Sequence, residues 1–322
     1  MSTLNGKNIL VTGGTGFVGS HLVEDLDNLG VHVITTYQSL NPYSYFIQQQ
    51  LSKRVTVAPV DIVDFERLFD LVTKSEIDYI FHLAAQPLVE TAYYNPRRTL
   101  DTNIRGTINI LESARLYPRI KGIIVASSDK AYGKLEGKDK YKESDPLRGD
   151  HPYEVSKSAA DLITTSYYKT YDVPVVTTRF GNIYGEGDLN FSRIIPGIMK
   201  SLITNQTLQL RSDGSHVRDY LYVKDVVDGY ILLAQHIDEI KGEAFNFGSH
   251  ETYSVLALIQ EVEKALKQKI QYIVLNESKN EIPYQSLNFT KIKKRLSWEP
   301  KRTLKTITQT VFDWYTEQKD CM

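Results

Sequence analysis

The chain predicts an α/β fold, a doubly wound parallel sheet followed by a smaller C-terminal α/β lobe. Three observations carry this expectation. Short apolar, β-branched runs alternate with longer amphipathic segments over the first 181 residues; a glycine-rich turn joins the first run to the first helical pattern; and beyond about Asn182 loops and shorter elements take over. Such alternation calls for parallel strands with helices on both faces.

The first strand is Asn8-Ile9-Leu10-Val11-Thr12, an apolar run that ends in glycines, and Phe17, Val18, Leu22, Val23 and Leu26 follow at helical spacing. The strand signature recurs at 31–35, 55–60, 79–83, 123–126 and 173–178. Helical patterns at 65–73, 102–116 and 153–171 lie between these strands or beside them, each long enough for a crossover between parallel strands. Past Asn182, Gly185-Glu186-Gly187-Asp188 and Ser212-Asp213-Gly214-Ser215 read as loops. Residues 223–234, followed by Ala244-Phe245-Asn246-Phe247-Gly248, read as a helix and strand that rejoin the sheet, and 254–266 and 304–316 as helices that close the smaller lobe.

Composition narrows the function classes. Of 322 residues 41% are hydrophobic and 24% charged, ordinary globular material. Lysine and arginine (38) balance aspartate and glutamate (39), so no basic field exists to hold nucleic acid or an anionic membrane, and an anionic substrate must be gripped locally. A single cysteine, Cys321, leaves no disulfide framework and fits a reducing compartment. No apolar run of signal-peptide or membrane-spanning length occurs, so the expected location is the cytoplasm. Seven histidines lie without ligand spacing, and no metal is expected.

Thr12-Gly13-Gly14-Thr15-Gly16-Phe17-Val18-Gly19 gives the fold a chemistry. Between a strand and a helix, Gly13 permits the tight turn, Gly16 lets backbone approach a pyrophosphate, and Gly19 lets helix pack close to strand, while the helix N-terminus favours negative charge. The sheet is therefore expected to be a dinucleotide-binding Rossmann domain over 1–181, rejoined by about 224–248, with a substrate-binding lobe over 182–322. Asp61 in Val60-Asp61-Ile62 can bond an adenine edge or cap a helix, and Ala84-Ala85 are small residues at a strand's C-terminal end, where cofactors sit. After the second strand, Thr35-Thr36-Tyr37-Gln38-Ser39 holds neither the acidic residue that grips the NAD ribose nor the arginine that suits the NADP phosphate. NAD is expected from the reaction proposed below, with NADP left open.

Tyr153-Glu154-Val155-Ser156-Lys157 sets a phenol and an ammonium one helical turn apart. A neighbouring cation stabilises phenolate, so Tyr153 can exchange a proton with a substrate alcohol as hydride moves. The pair does not stand alone. With the glycine turn come His82-Leu83-Ala84-Ala85, Thr102-Asn103-Ile104-Arg105-Gly106-Thr107, Ser127-Ser128-Asp129-Lys130-Ala131-Tyr132-Gly133, Arg179-Phe180-Gly181-Asn182-Ile183-Tyr184-Gly185 and Arg218-Asp219-Tyr220-Leu221-Tyr222-Val223-Lys224-Asp225. Over roughly residues 7–225 the chain thus resembles the extended short-chain dehydrogenases/reductases, the NAD-dependent epimerase/dehydratase group of nucleotide-sugar enzymes.

The resemblance implies cofactor contacts from Gly13, Thr15, Gly16, Phe17, Val18 and Gly19, from Tyr37, Asp61 and Ile62, from Leu83, Ala84 and Ala85, and from Asn103, Tyr153 and Lys157. It implies Ser128 as the hydroxyl that positions the sugar oxygen beside Tyr153, and substrate contacts from Gln86, Asn182, Arg193 and Arg218, the last by bidentate grip of a diphosphate. Ser128-Asp129-Lys130 with Gln86-Pro87-Leu88-Val89 looks most like the CDP-glucose 4,6-dehydratase branch. The implied reaction turns a nucleoside-diphosphate hexose into its 4-keto-6-deoxy form: oxidation at C4, loss of water across C5 and C6, and return of hydride to C6. Asp129 and Lys130 are its acid and base, in either order. A C4 epimerase or C4 oxidoreductase, with those two as spectators, is the alternative; a non-catalytic dinucleotide sensor is a third, against which Ser128, Tyr153 and Lys157 argue. The helices at 102–116 and 153–171 resemble those that pair in the group's homodimers.

Overall fold

A computed structural model describes residues 3–134, 139–277 and 282–322. Thirteen strands occur among them: β1 (Asn8–Thr12), β2 (His32–Thr36), β3 (Thr56–Ala58), β4 (Tyr79–His82), β5 (Gly122–Ser128), β6 (Val175–Phe180), β7 (Asn182–Tyr184), β8 (Leu208–Leu210), β9 (Val217–Tyr222), β10 (Ala244–Phe247), β11 (Thr252–Ser254), β12 (Tyr272–Val274) and β13 (Tyr284–Gln285). Seven form one sheet in the order β10-β6-β5-β4-β1-β2-β3, every pair parallel. The chain runs outward from β1 through β3 and then returns to β4 on the other side of β1, so a crevice opens at the C-terminal ends of β1 and β4. Thr12 stands level with both Thr36 and His82 at that edge.

Proline explains two departures from the strand pattern. Pro59 cannot donate to a ladder, and β3 stops at Ala58; β6 starts at Val175, directly after Pro174. β5, by contrast, runs on to Ser128 because Ser127 and Ser128 pair with Arg179 and Phe180, which carries both serines to the crevice. The helical pattern at 102–116 divides into a wide π turn, Asp101–Arg105, and the helix Gly106–Leu116.

After β6 the chain crosses over. β7 pairs with β9, the centre of a second sheet that β11 and β13 complete, while helix Val223–Gln235 and β10 bring the backbone back to the large sheet beside β6. Ile195, Met199, Leu258, Val262, Val311 and Tyr315 pack the helices Ile194–Thr204, Val255–Leu266 and Leu304–Glu317 into one core over this smaller sheet. Among the described residues, no helix is long and apolar enough to cross a membrane.

Candidate active site

The glycine turn has the geometry its spacing predicts. Gly13 has φ +73°, and a Cβ there would stand 2.8 Å from the Ala84 backbone nitrogen. At Gly19 a Cβ would meet the Gly13 carbonyl at 2.2 Å, so helix Phe17–Asn28 can approach its strand only without one. Gly16 differs, because its Cβ would meet nothing nearer than the Gly13 oxygen at 3.2 Å; this backbone faces open space. The helix has neither a side-chain cap nor an acidic residue in its first turn, so its positive end is left for an anion. A cavity of about 340 Å³ opens here, lined by Gly13, Thr15, Gly16, Phe17, Val18, Gly19, Tyr37, Ile62, Leu83, Ala84 and Ala85. These residues fit a dinucleotide. Asp61 lies in the adjoining cavity with Tyr37, exposed, its Oδ1 accepting from the Val63 N–H at 2.9 Å. The cap of helix Phe65–Lys74 is Asp64, not Asp61.

Asn103 and Gln86 do not reach this cavity. Both are buried, and they bond each other: Asn103 Oδ1 accepts from the Gln86 N–H at 2.7 Å, and Asn103 Nδ2 donates to the Gln86 carbonyl and, at 2.8 Å, to Ser156 Oγ. Gln86 Nε2 donates to Thr99 and to the Leu88 carbonyl. The two amides hold the 84–88 loop against the π turn, and neither residue lines the cavities at this crevice.

They belong to a longer series. The Ala84 N–H donates to Thr12 Oγ1 (3.3 Å), which bonds His82 Nδ1 (2.8 Å); His82 Nε2 meets Thr107 Oγ1 (3.2 Å), whose proton goes to the Asn103 carbonyl (2.7 Å). From Asn103 Nδ2 it continues through Ser156 Oγ to the Tyr153 carbonyl at 2.7 Å. Because the Thr107 proton is committed, Nε2 carries the imidazole hydrogen and Nδ1 accepts from Thr12. Burial, then the charge of Lys157, pulls His82 down to about 3 from an ordinary 6.5. Burial likewise lowers His21 to about 4; it bonds the Glu186 carbonyl at 2.8 Å and stacks on Tyr45. In both cases the folded state keeps a neutral ring while the unfolded chain binds a proton below about 6.5, so their contribution is complete above that pH and lost as it falls toward 4 and then 3. Resistance to urea is therefore expected to drop from pH 6.5 to 4, by up to about 1.4 kcal/mol per pH unit for each ring. A flat profile would contradict neutral burial.

All the catalytic candidates but Lys157 line a second cavity, about 350 Å³, which shares Phe17, Val18, Leu83, Pro87 and Arg193 with the first. Ser128, Asp129, Lys130 and Tyr153 converge on it. Ser128 Oγ donates to Asp129 Oδ1 at 2.9 Å and accepts from the Lys130 N–H, and Lys130 Nζ lies 3.4 Å from Asp129 Oδ2. Burial and the Asp129 charge push the Tyr153 phenol up to about 12, against the pull of the Arg193 charge and a hydrogen bond with Ser128. Lys157 was expected to be the cation that favours phenolate. Instead its Nζ donates to the Ala126 carbonyl at 3.0 Å, and Arg193 supplies the positive charge; burial brings Lys157 down to about 8, though Asp161 opposes this. Burial also lowers Lys130, and the Arg218 charge helps, while Asp129 and Glu154 oppose. Burial thus favours the neutral amine at Lys130.

On the substrate side, Asn182 and Arg193 reach this cavity, and Arg193 Nη1 is held by Asp188 Oδ2 at 3.1 Å. Arg218 is not part of that lining; its charge acts on Lys130, and its Nη1 donates to the Val217 carbonyl. Ser127 and Tyr184 are among the residues that line this cavity, and their hydroxyl oxygens are buried with no hydrogen-bond partner among the described residues. Neither is among the residues that the motifs single out, although each lies inside one of them.

A family model described as GDP-mannose 4,6 dehydratase matches residues 10–311. The chain is 30% identical to a CDP-glucose 4,6-dehydratase of Salmonella typhimurium, over 96% of this chain and 90% of the relative. It is 29% identical to a dTDP-glucose 4,6-dehydratase of Neisseria gonorrhoeae, over 99% and 98%. Of solved structures, a Bacillus anthracis dTDP-glucose 4,6-dehydratase in complex with NAD aligns with a TM-score of 0.84 at 28% identity, covering 98% of both chains. A Thermotoga maritima UDP-glucose 4-epimerase with UDP-glucose aligns at 0.87 and 27%, covering 97% of this chain and 99% of that one.

Proposed function

Since this chain belongs to the GDP-mannose 4,6 dehydratase family, we propose that it is an NAD-dependent nucleotide-sugar 4,6-dehydratase, converting a nucleoside-diphosphate hexose to its 4-keto-6-deoxy form. One observation carries the choice of dehydratase over epimerase: Asp129 and Lys130 flank Ser128 and Tyr153 on the wall of a single cavity. The fold does not discriminate, because epimerases align as well as dehydratases do.

NAD, when bound, supplies the hydride acceptor for C4 and the donor for C6. Tyr153 takes the C4 hydroxyl proton as a phenolate, the form that is less opposed once Asp129 is protonated and its charge no longer raises the phenol. Lys130, as the neutral amine, removes the C5 proton that the C4 ketone has made acidic, and later returns one to C5. Asp129, protonated, gives its proton to the departing C6 hydroxyl, which leaves as water. The proton gained by Tyr153 equals the one lost by Asp129, and Ser128 joins these two groups. Asn182 and Arg193, in the lining of the same cavity, hold the sugar and its diphosphate.

The assignment is tested with Lys130→Met, which keeps the volume of the stem and removes the amine. On a panel that includes CDP-glucose, dTDP-glucose and UDP-glucose, the parent is expected to form one 4-keto-6-deoxy product with no net change in bound NAD. The variant should still oxidise C4, while release of that product falls about a hundredfold. C4 epimerisation by the parent, unaltered in the variant, would replace the dehydratase with an epimerase.

A further inference from the structure

We infer that Gln285, brought in from the small sheet, is a positioning residue for Lys130, its carboxamide serving the amine in both of its protonation states. The inference rests on the dehydratase reading of Lys130. Gln285 is 1% exposed and lies on β13, which pairs with β9 so that Gln285 stands level with Arg218. Its Oε1 accepts a hydrogen bond from Lys130 Nζ, across 155 residues of sequence. Its Nε2 is buried with no hydrogen-bond partner among the described residues.

A base that takes a proton from carbon must be comfortable twice. As an ammonium it needs acceptors; as an amine it presents a lone pair that needs a donor. Asp129 and Glu154 favour only the ammonium, and Arg218 repels it. Gln285 is the neutral member of this surround, and half a turn of its terminal amide replaces Oε1 by Nε2 in front of Nζ. Nε2 is therefore the donor for the amine form. A glutamine that merely filled space would not leave a buried N–H₂ unpaired, a cost that leucine or methionine avoids at similar size.

The test compares the parent with Gln285→Glu and Gln285→Met, using the nucleotide-hexose the parent turns over from the panel above. Solvent deuterium incorporation at C5 is followed against pH, beside the rate of C4 oxidation and the unfolding temperature. Glutamate can only hold the ammonium, so the rising limb of C5 exchange is expected to move up by about one pH unit, a tenfold loss at neutral pH. Methionine offers only a weak thioether acceptor and no donor, so the limb should move the opposite way while its plateau falls about tenfold. C4 oxidation should stay within about twofold in both variants. Shifts of opposite sign are not what loosened packing would produce. Folded variants whose limbs overlie that of the parent, or that lose C4 oxidation as fully as C5 exchange, would overturn the assignment; if Gln285→Met does not fold, the limb of the near-isosteric Gln285→Glu decides alone. Absence of C5 exchange in the parent itself would remove the dehydratase reading, and this inference with it, an outcome told apart because no variant is needed to see it.

Discussion

Tyr153→Phe is expected to cut turnover by at least about a thousandfold with the fold unchanged, because proton transfer by a positioned side chain commonly supplies factors of this size. Only the hydroxyl is lost. Ser128 keeps Asp129 as its partner, and the ring keeps His151 beside it at 6.5 Å between centroids. The backbone of Tyr153 stays fixed by Ser156. A stability change above about 1 kcal/mol is therefore not expected. The defect belongs to C4 oxidation alone: a 4-keto sugar supplied to the variant should still exchange its C5 proton with solvent, since Lys130 is untouched. Steady-state turnover within tenfold of the parent would show that another group takes the C4 proton.

Arg179→Met is expected to destabilise the protein by about 3–5 kcal/mol in urea unfolding, the usual cost of leaving one half of a buried ion pair alone. Arg179 Nε and Nη2 meet the two Asp161 oxygens at 2.8 and 2.9 Å, with both residues almost fully buried. This fork fastens helix Pro152–Tyr171 to β6. Nη1 also donates to Tyr132 OH at 2.7 Å, and Tyr132 donates to Asn246 on β10, so the turn that carries Asp129 and Lys130 is fastened by the same guanidinium. Asp161→Leu added to the methionine variant should recover most of the loss, because the stranded carboxylate is then gone. A single-variant cost below about 1 kcal/mol would mean that the pair adds little.

What could be read from the sequence divides along a physical line. The crossover sheet, the glycine turn and the Tyr153–Lys157 spacing are local patterns of period and small-residue placement, and the structure reproduces them. The orientation of Lys157 is not local, since its ammonium follows the Ala126 carbonyl on a neighbouring strand. Arg193 sits at the mouth of both cavities because Asp188, five residues earlier, holds it there, a contact that spacing alone does not reveal. Gln285 is the extreme case. It lies on a two-residue strand with no motif around it, and only the pairing of β13 with β9 brings it to Lys130. Asn103 and Gln86 sit inside motifs, but the side chain of Asn103 bonds the Gln86 backbone and Ser156, and that of Gln86 bonds Thr99, contacts that no spacing reveals.

The bonded series from Ala84 to Asn103 can run in one sense only. A backbone N–H gives at its start and a backbone carbonyl receives at its end, so each hydroxyl between them has a single direction left for its proton. The imidazole of His82 cannot turn over or change tautomer without breaking the bonds on both sides. This row is thus polarised and cannot act as a proton wire. What it conveys is geometry, tying the end of the first strand, through Asn103 and Ser156, to the first turn of helix Pro152–Tyr171.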